Sequence, residues 1–411
     1  MNTEIDFLVL GATGMQGSIV TRYLSENGHR VFASGRNQSR LEEAGRKYGI
    51  AGAQALDLND KDETTKLIQQ IRPAVVVNCA EGDWNLSVYQ SALEGGANVI
   101  DLGSDIPATV DQLALSEEFK KKNLVAITGC GSTPGVNNVM LRYAGEHFDS
   151  IDTIEAGFAW NSNIKTFVVP FSMESIIEEF TEPAPIIENK AWLEKVPLET
   201  VMDQNFREVG PQKTFLVRHP ETETFFLYYK NKGVENVRFL AGFPDHSFDK
   251  IMSYLNYGFT ANGRASTVYI DGKGEIPLIG LTKVLQEIHP PPENYLEKEN
   301  LWVRLNGEKN GVKTEVMMEC IVPTLPEWKE AGCNIDTGFP ASIIGEMILN
   351  GEIGQYGSFA PEGVVPCRKF FEALNKNDMA ILMNGEKVNL EEVEKEDETL
   401  KVTDQRGDQY L

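Results

Sequence analysis

The 411-residue sequence is poor in histidine and cysteine, with five of each. Cys79, Cys130, Cys320, Cys333 and Cys367 are dispersed, with no CxxC pair and no close histidine, so neither a zinc site nor a disulfide framework is indicated. Positive charge is also short: 38 lysines and arginines stand against 61 acids, for a formal net charge of -23. Such a surface repels phosphate backbones and argues against nucleic acid as a partner, although a local basic cleft would still receive a small anion. No run approaches the roughly eighteen apolar residues that cross a bilayer, so no membrane partner is expected. The opening "MNTEIDFL" lacks the basic and apolar regions of a secretory signal, and a cytoplasmic protein with reduced thiols is the expectation.

What is present is the composition of a globular protein, 41% hydrophobic and 24% charged, at a length that exceeds one ordinary core. From Asp6 to about Asp149, short β-branched runs alternate with helix-like segments: "DFLVLGA", "RVFASG", "GAQALDL", "AVVVNCA", "NVIDLGS" and "LVAITGCG". Short apolar strands that do not alternate fit a sheet covered on both faces, so the spacing predicts an α/β, doubly wound parallel sheet of the Rossmann type. After Gly135 the rhythm changes. "TIEAGFAW", "TFLVRHP", "TETFFLYYK", "VRFLAGF", "ASTVYIDG", "LWVRLNGE" and "KTEVMMECIV" read as strands joined by turns, which predicts an inserted, mostly antiparallel α+β domain.

The expected organisation is a dinucleotide-binding domain over 1–131, an inserted domain over 132–336, helices returning to the first domain over 337–375, and a charged, solvated tail over 376–411. Thr337 is the expected cap of the returning helix, which ends near Gly351. Phe225 to Tyr229, five consecutive bulky residues read as a strand, would put apolar side chains on both faces; a homodimer through that sheet is therefore expected.

The stretch "FLVLGATGMQGSIV" sets Gly11, Gly14 and Gly17 between a strand and a helix, in the first βαβ unit, where backbone N–H groups at a helix start meet a pyrophosphate. Gly11, Thr13, Gly14, Met15, Gln16 and Gly17 are the expected cradle. The end of the second strand reads Ser34-Gly35-Arg36. An acid there would take a ribose 2′-hydroxyl, whereas Arg36 suits a 2′-phosphate, so NADP is favoured over NAD. Asp57 and Leu58 fall at the expected adenine edge. Cys79, Ala80 and Glu81 fall beside the ribose and nicotinamide. At the ends of the fifth and sixth strands Asp101, Asp105 and Asn137 are candidates for lining the active site, since ligands of open α/β sheets bind at the carboxyl ends of the strands.

Together, "GATGMQG", "VVNCAEG", "GGANVIDLGSD", "GCGSTPGVNNVM", "RFLAGFPDH" and "TGFPASIIGEMILNGEIGQYGSFAPEGVVP" resemble the saccharopine dehydrogenase-like family over roughly residues 5 to 375. The resemblance implies a Rossmann domain, an inserted substrate domain that also forms a dimer, and hydride transfer at a carbon bonded to nitrogen. Such a site requires a proton carrier and cationic groups for substrate carboxylates. Asp101 and His246, the latter in "GFPDH", are the candidate catalytic residues; Asp105, Asn137, Arg238 and Arg264 are the candidate substrate contacts. "AGFPDHSF" lacks the Asn-Arg-Asp segment of saccharopine reductases proper, which leaves lysine-, polyamine- and other amino-acid-derived substrates equally admissible. A lysine epsilon-dehydrogenase-type NAD-linked deamination and a non-catalytic NADP-binding regulator are the competing readings.

Overall fold

A strand with no polar face can be stable only inside a sheet covered on both sides. The strands β1 (Phe7–Leu10), β4 (Val75–Asn78) and β6 (Val125–Ile127) are buried at every residue. In the computed structural model, which describes residues 5–103, 105–164, 173–257, 294–328, 332–391 and 393 together with short strands between 260 and 275, they lie in one parallel seven-stranded sheet. Its order is β3 (Gly52–Ala55), β2 (Val31–Gly35), β1, β4, β5 (Asn98–Asp101), β6 and a final strand Gly357–Phe359. The order reverses between β1 and β4, and ligands of such sheets sit at that switch point, outside the carboxyl ends.

The second body is a ten-stranded mixed sheet. The long strands Ser150–Ser162, Glu297–Lys309 and Val312–Val322 pair antiparallel, and Asn236–Phe243 runs parallel to the first of them. This matches the expected Rossmann sheet with a mostly antiparallel α+β partner. A returning helix, Gly332–Leu349, packs on α1 (Met15–Glu26): a Cβ on Gly338 would stand 2.5 Å from Ile19, and Phe339 lies 5.0 Å from the Tyr23 ring. The helix begins five residues before Thr337, which is therefore an interior residue and not its cap.

Two other expectations are corrected. "TETFFLYYK" is a helix, Glu221–Tyr229, and not a strand. Glu221 and Glu223 occupy its first turn, where acids favour the helix dipole, and Phe225, Leu227 and Tyr229 are buried within the chain. The tail expected from 376 starts later, because Ala380–Met383 pairs with Met318–Ile321 and Glu386–Lys387 extends the sheet. The expected strand "ASTVYIDG" is described only in part: Ala265 ends the short strand Arg264–Ala265, and Val268–Ile270 is a second short strand.

Candidate active site

The turn between β1 and α1 shows why three glycines are placed there. Gly11 adopts a φ of +72°, and a Cβ on Gly17 would stand 2.1 Å from the Gly11 carbonyl oxygen, so only hydrogen at both positions lets the helix close onto the strand end. α1 carries no side-chain cap at Gly14 and no acid in its first turn. Its first N–H groups are left to an anion.

The turn opens into a cavity of about 580 Å³ along the carboxyl ends of the strands. Gly11, Thr13, Gly14, Met15, Gln16, Ser34, Arg36, Asp57, Leu58, Cys79, Ala80 and Glu81 line it. Gly17 does not; it serves the turn by letting the backbone close. Arg40, which the sequence reading passed over, also lines the cavity and donates to the Thr13 carbonyl at 2.8 Å. It stands one helical turn beyond Arg36 behind the Asn37 cap, a spacing that in hindsight was the signal. Neither guanidinium has an ion-pair partner among the described residues. Ser175 and Thr337, from outside the nucleotide strands, also line the cavity. Burial pushes the Cys79 thiol well up, which makes it a wall residue and not a nucleophile.

Asp101 does not line this cavity. Its carboxylate is fully enclosed: the backbone N–H groups of Gly103 and Gly129 donate to Oδ1 at 2.7 and 2.9 Å, and the Gln112 amide donates to Oδ2 at 2.5 Å. Burial still holds its acid above the usual range. With its oxygens occupied, Asp101 ties the ends of β5 and β6 together, so the catalytic expectation becomes a positioning one. Asp105 caps the helix Ile106–Ala114 by accepting from the Ala108 N–H. Asn137 is buried and donates to the Gly157 carbonyl at 3.1 Å, while its Oδ1 has no partner. Arg238 faces Glu155 at 3.6 Å and Glu188 at 3.4 Å and does not line the cavity, so its charge is neutralised within the inserted sheet and it is not free for a substrate carboxylate. The Arg264 side chain lies outside the described residues. His246 sits in the first turn of the helix Asp245–Asn256, Nε2 at 3.3 Å from Asn161 Oδ1 and the ring edge-on to Trp160.

The Saccharopine dehydrogenase C-terminal domain family matches residues 131–379, more than half the chain. The chain belongs to the saccharopine dehydrogenase family. The NAD dependent epimerase/dehydratase family matches residues 7–102, the glycine turn and its sheet. A carboxyaminopropylagmatine dehydrogenase from Synechocystis sp. is 27% identical over 376 residues, 87% of this chain and 92% of that protein. A carboxynorspermidine synthase from Vibrio alginolyticus is 26% identical over 241 residues, 56% of this chain and 55% of that protein. Saccharopine dehydrogenase (L-Glu forming) from Saccharomyces cerevisiae shares the fold, with a TM-score of 0.73 at 14% identity over 92% of this chain and 99% of that one.

This saccharopine dehydrogenase-family chain is thus an oxidoreductase, and its glycine turn fits a nicotinamide cofactor. Among the described residues no helix is long and apolar enough to cross a membrane, and no cluster of His, Cys, Asp and Glu has the makings of a metal site.

Proposed function

We propose that this protein is an NADP-dependent oxidoreductase that forms or breaks the C–N bond of a polyamine-type substrate through hydride transfer at a CH–NH centre. The observation that carries the reading is the pair Arg36 and Arg40 just beyond β2, two guanidiniums on the wall of the glycine-turn cavity without acidic partners among the described residues. Forked donors at that point match a 2′-phosphate; a ribose hydroxyl would call for an acid. The first N–H groups of α1 would hold the pyrophosphate. The cofactor supplies hydride when bound. The relatives' names, with polyamine-derived substrates in both, support the substrate class.

In the synthetic direction an amine and a carbonyl compound lose water, the C=N carbon receives the hydride, and the nitrogen takes a proton. We assign the proton transfers to His246, whose imidazole stands at the carboxyl end of Ser150–Ser162 and is held by Asn161 and Ser247. Asp105 and Asn137 remain candidate contacts around the substrate. Location in the cytoplasm accords with this chemistry and with the reduced thiols Cys79, Cys130, Cys320 and Cys367.

The test is to mix the full chain with NADPH or NADH and pairs of amines and carboxylated aldehydes, following the absorbance of the reduced nicotinamide. Consumption of NADPH with polyamine-type amines, and slower use of NADH, is expected. Equal use of the two cofactors would remove the NADP assignment, and no consumption with any pair would favour a binding-only protein.

A further inference from the structure

Gln16, the second residue of α1, lines the glycine-turn cavity. Its side chain leans toward the returning helix, where a Cβ on Gly338 would stand 3.5 Å from its Oε1. That oxygen is buried and accepts from no donor, and among the described residues the side-chain amide makes no hydrogen bond. A polar atom buried without a partner is a loss that an apolar side chain of similar size avoids. Leucine or methionine would fill the seam between α1 and Gly338 without that loss. The amide is accounted for by a ligand, and it stands on the wall of a cavity with room for one.

Where Gln16 stands along the cavity narrows the ligand group. Arg36 and Arg40, beyond β2, lie on the side of the sheet that suits the adenosine half of a dinucleotide, and the first N–H groups of α1 would hold the pyrophosphate between the two halves. The second half then falls across the switch point, toward β4 and β5. Leu102 and Gly103, just past β5, line the cavity on that side. The returning helix covers the same part of the sheet: a Cβ on Gly345 would meet Phe7 of β1 at 3.1 Å and Ile100 of β5 at 3.6 Å. Its Thr337, next to Gly338, also lines the cavity. Gln16 therefore reaches from the pyrophosphate turn toward the nicotinamide end, away from the arginines.

The unpaired atom is an acceptor, so the group that answers it must donate. A phosphate oxygen only accepts and would leave Oε1 as it is. The carboxamide of a nicotinamide ring carries both an N–H2 donor and a C=O acceptor, and a side-chain amide is its complement: Oε1 accepts from the N–H2 while Nε2 donates to the carbonyl. One pairing thus satisfies both ends of Gln16.

We propose that the Gln16 side chain recognises the carboxamide of the nicotinamide and fixes the ring about its bond to the ribose, so deciding which ring face meets the substrate. The assignment rests on the cofactor reading above and gives a positioning role to a residue that otherwise serves only the turn.

The experiment measures, by calorimetry on the full chain, the binding of NADPH, of 2′-phospho-ADP-ribose, which lacks the ring, and of the reduced 3-acetylpyridine analogue of NADPH, which keeps the carbonyl and lacks the N–H2. The unmodified protein is compared with Gln16→Leu and Gln16→Met, both apolar and close in size. Each variant is expected to bind NADPH about tenfold more weakly and 2′-phospho-ADP-ribose as the parent does. The unmodified chain should bind the acetylpyridine analogue more weakly than NADPH, and the variants should not distinguish the two. Without ligand, the variants should melt at or above the parent's temperature, since an unpaired buried amide has been removed. Unchanged NADPH affinity in both variants overturns the assignment. So does an equal loss for NADPH and 2′-phospho-ADP-ribose, which would make Gln16 a pyrophosphate or ribose contact. Should the chain take NADH instead, the NADP reading falls alone, and NADH with ADP-ribose gives the same comparison for Gln16; binding of neither dinucleotide overturns both.

Discussion

Glu362 shows how much one buried acid can weigh on this fold. It lies in the short helix Pro361–Val364, buried, with the Asn138 amide donating to Oε2 at 2.7 Å and Arg142 donating to its backbone carbonyl at 3.1 Å. Burial raises its carboxyl from 4.5 to about 7. The folded protein therefore binds a proton that the unfolded chain has released between those two values, and stability from this group falls as pH rises through that window, at most about 1.4 kcal/mol per unit. Glu362→Gln removes the titration. Melting temperature against pH should be flatter for the variant than for the unmodified chain, with the gain in stability appearing above pH 7; parallel curves would contradict the assignment. Arg36 poses a charge question of the opposite sign. Arg36→Asp puts an acid where a 2′-phosphate would lie, and a charge-assisted contact worth about 1.5–3 kcal/mol predicts a roughly ten- to hundredfold loss in NADPH preference. Cofactor titrations by fluorescence check it, and an unchanged NADPH to NADH ratio would refute it.

At the scale of elements, legibility followed whether local sequence and tertiary demand agreed. The parallel strands and the glycine turn were readable because continuous apolar runs, glycine spacing and helix starts pointed to the same answer. Gly17 makes this testable: Gly17→Ala places a methyl into the Gly11 carbonyl, which is backbone and cannot swing away, so a loss of about 2 kcal/mol or more and of NADPH binding is expected. Gly354→Ala, with open space around the added methyl, should change neither, and a Gly17→Ala chain that melts and binds as the parent would show the turn to be looser than described. "TETFFLYYK" was misread because aromatic residues favour strands locally, while burial on all sides of the helix overrides that preference. Strand Ala380–Met383 was hidden in a charged context, four residues long and dependent on its partner. In the candidate site, Asp101 was legible as a residue at a strand end, but its role was not, because backbone N–H donors leave no trace in sequence.

At the scale of the whole molecule, the argument for a dimer moves with the corrected helix. Phe225 to Tyr229 cannot supply the interface, since that helix is spent on the chain's own core. The stretch 191–202 instead exposes Trp192, Leu193, Val196 and Met202. Met202–Phe206 is also an edge strand of the ten-stranded sheet, paired on one side only among the described residues. Exposed apolar residues are ordinary singly, but several in one stretch beside a free strand edge are the combination that natural sheets cover. A second copy related by a two-fold axis would present the same surface and bury both features at once. We therefore propose a homodimer built on this edge, leaving the nucleotide domains outermost. Light scattering at micromolar concentration should give twice the single-chain mass of 45.7 kDa, and Trp192→Lys combined with Met202→Lys should shift it to the monomer without unfolding. A mass near 45.7 kDa for the unmodified protein would sink the dimer, and a dimer that survives both lysines would move the interface elsewhere.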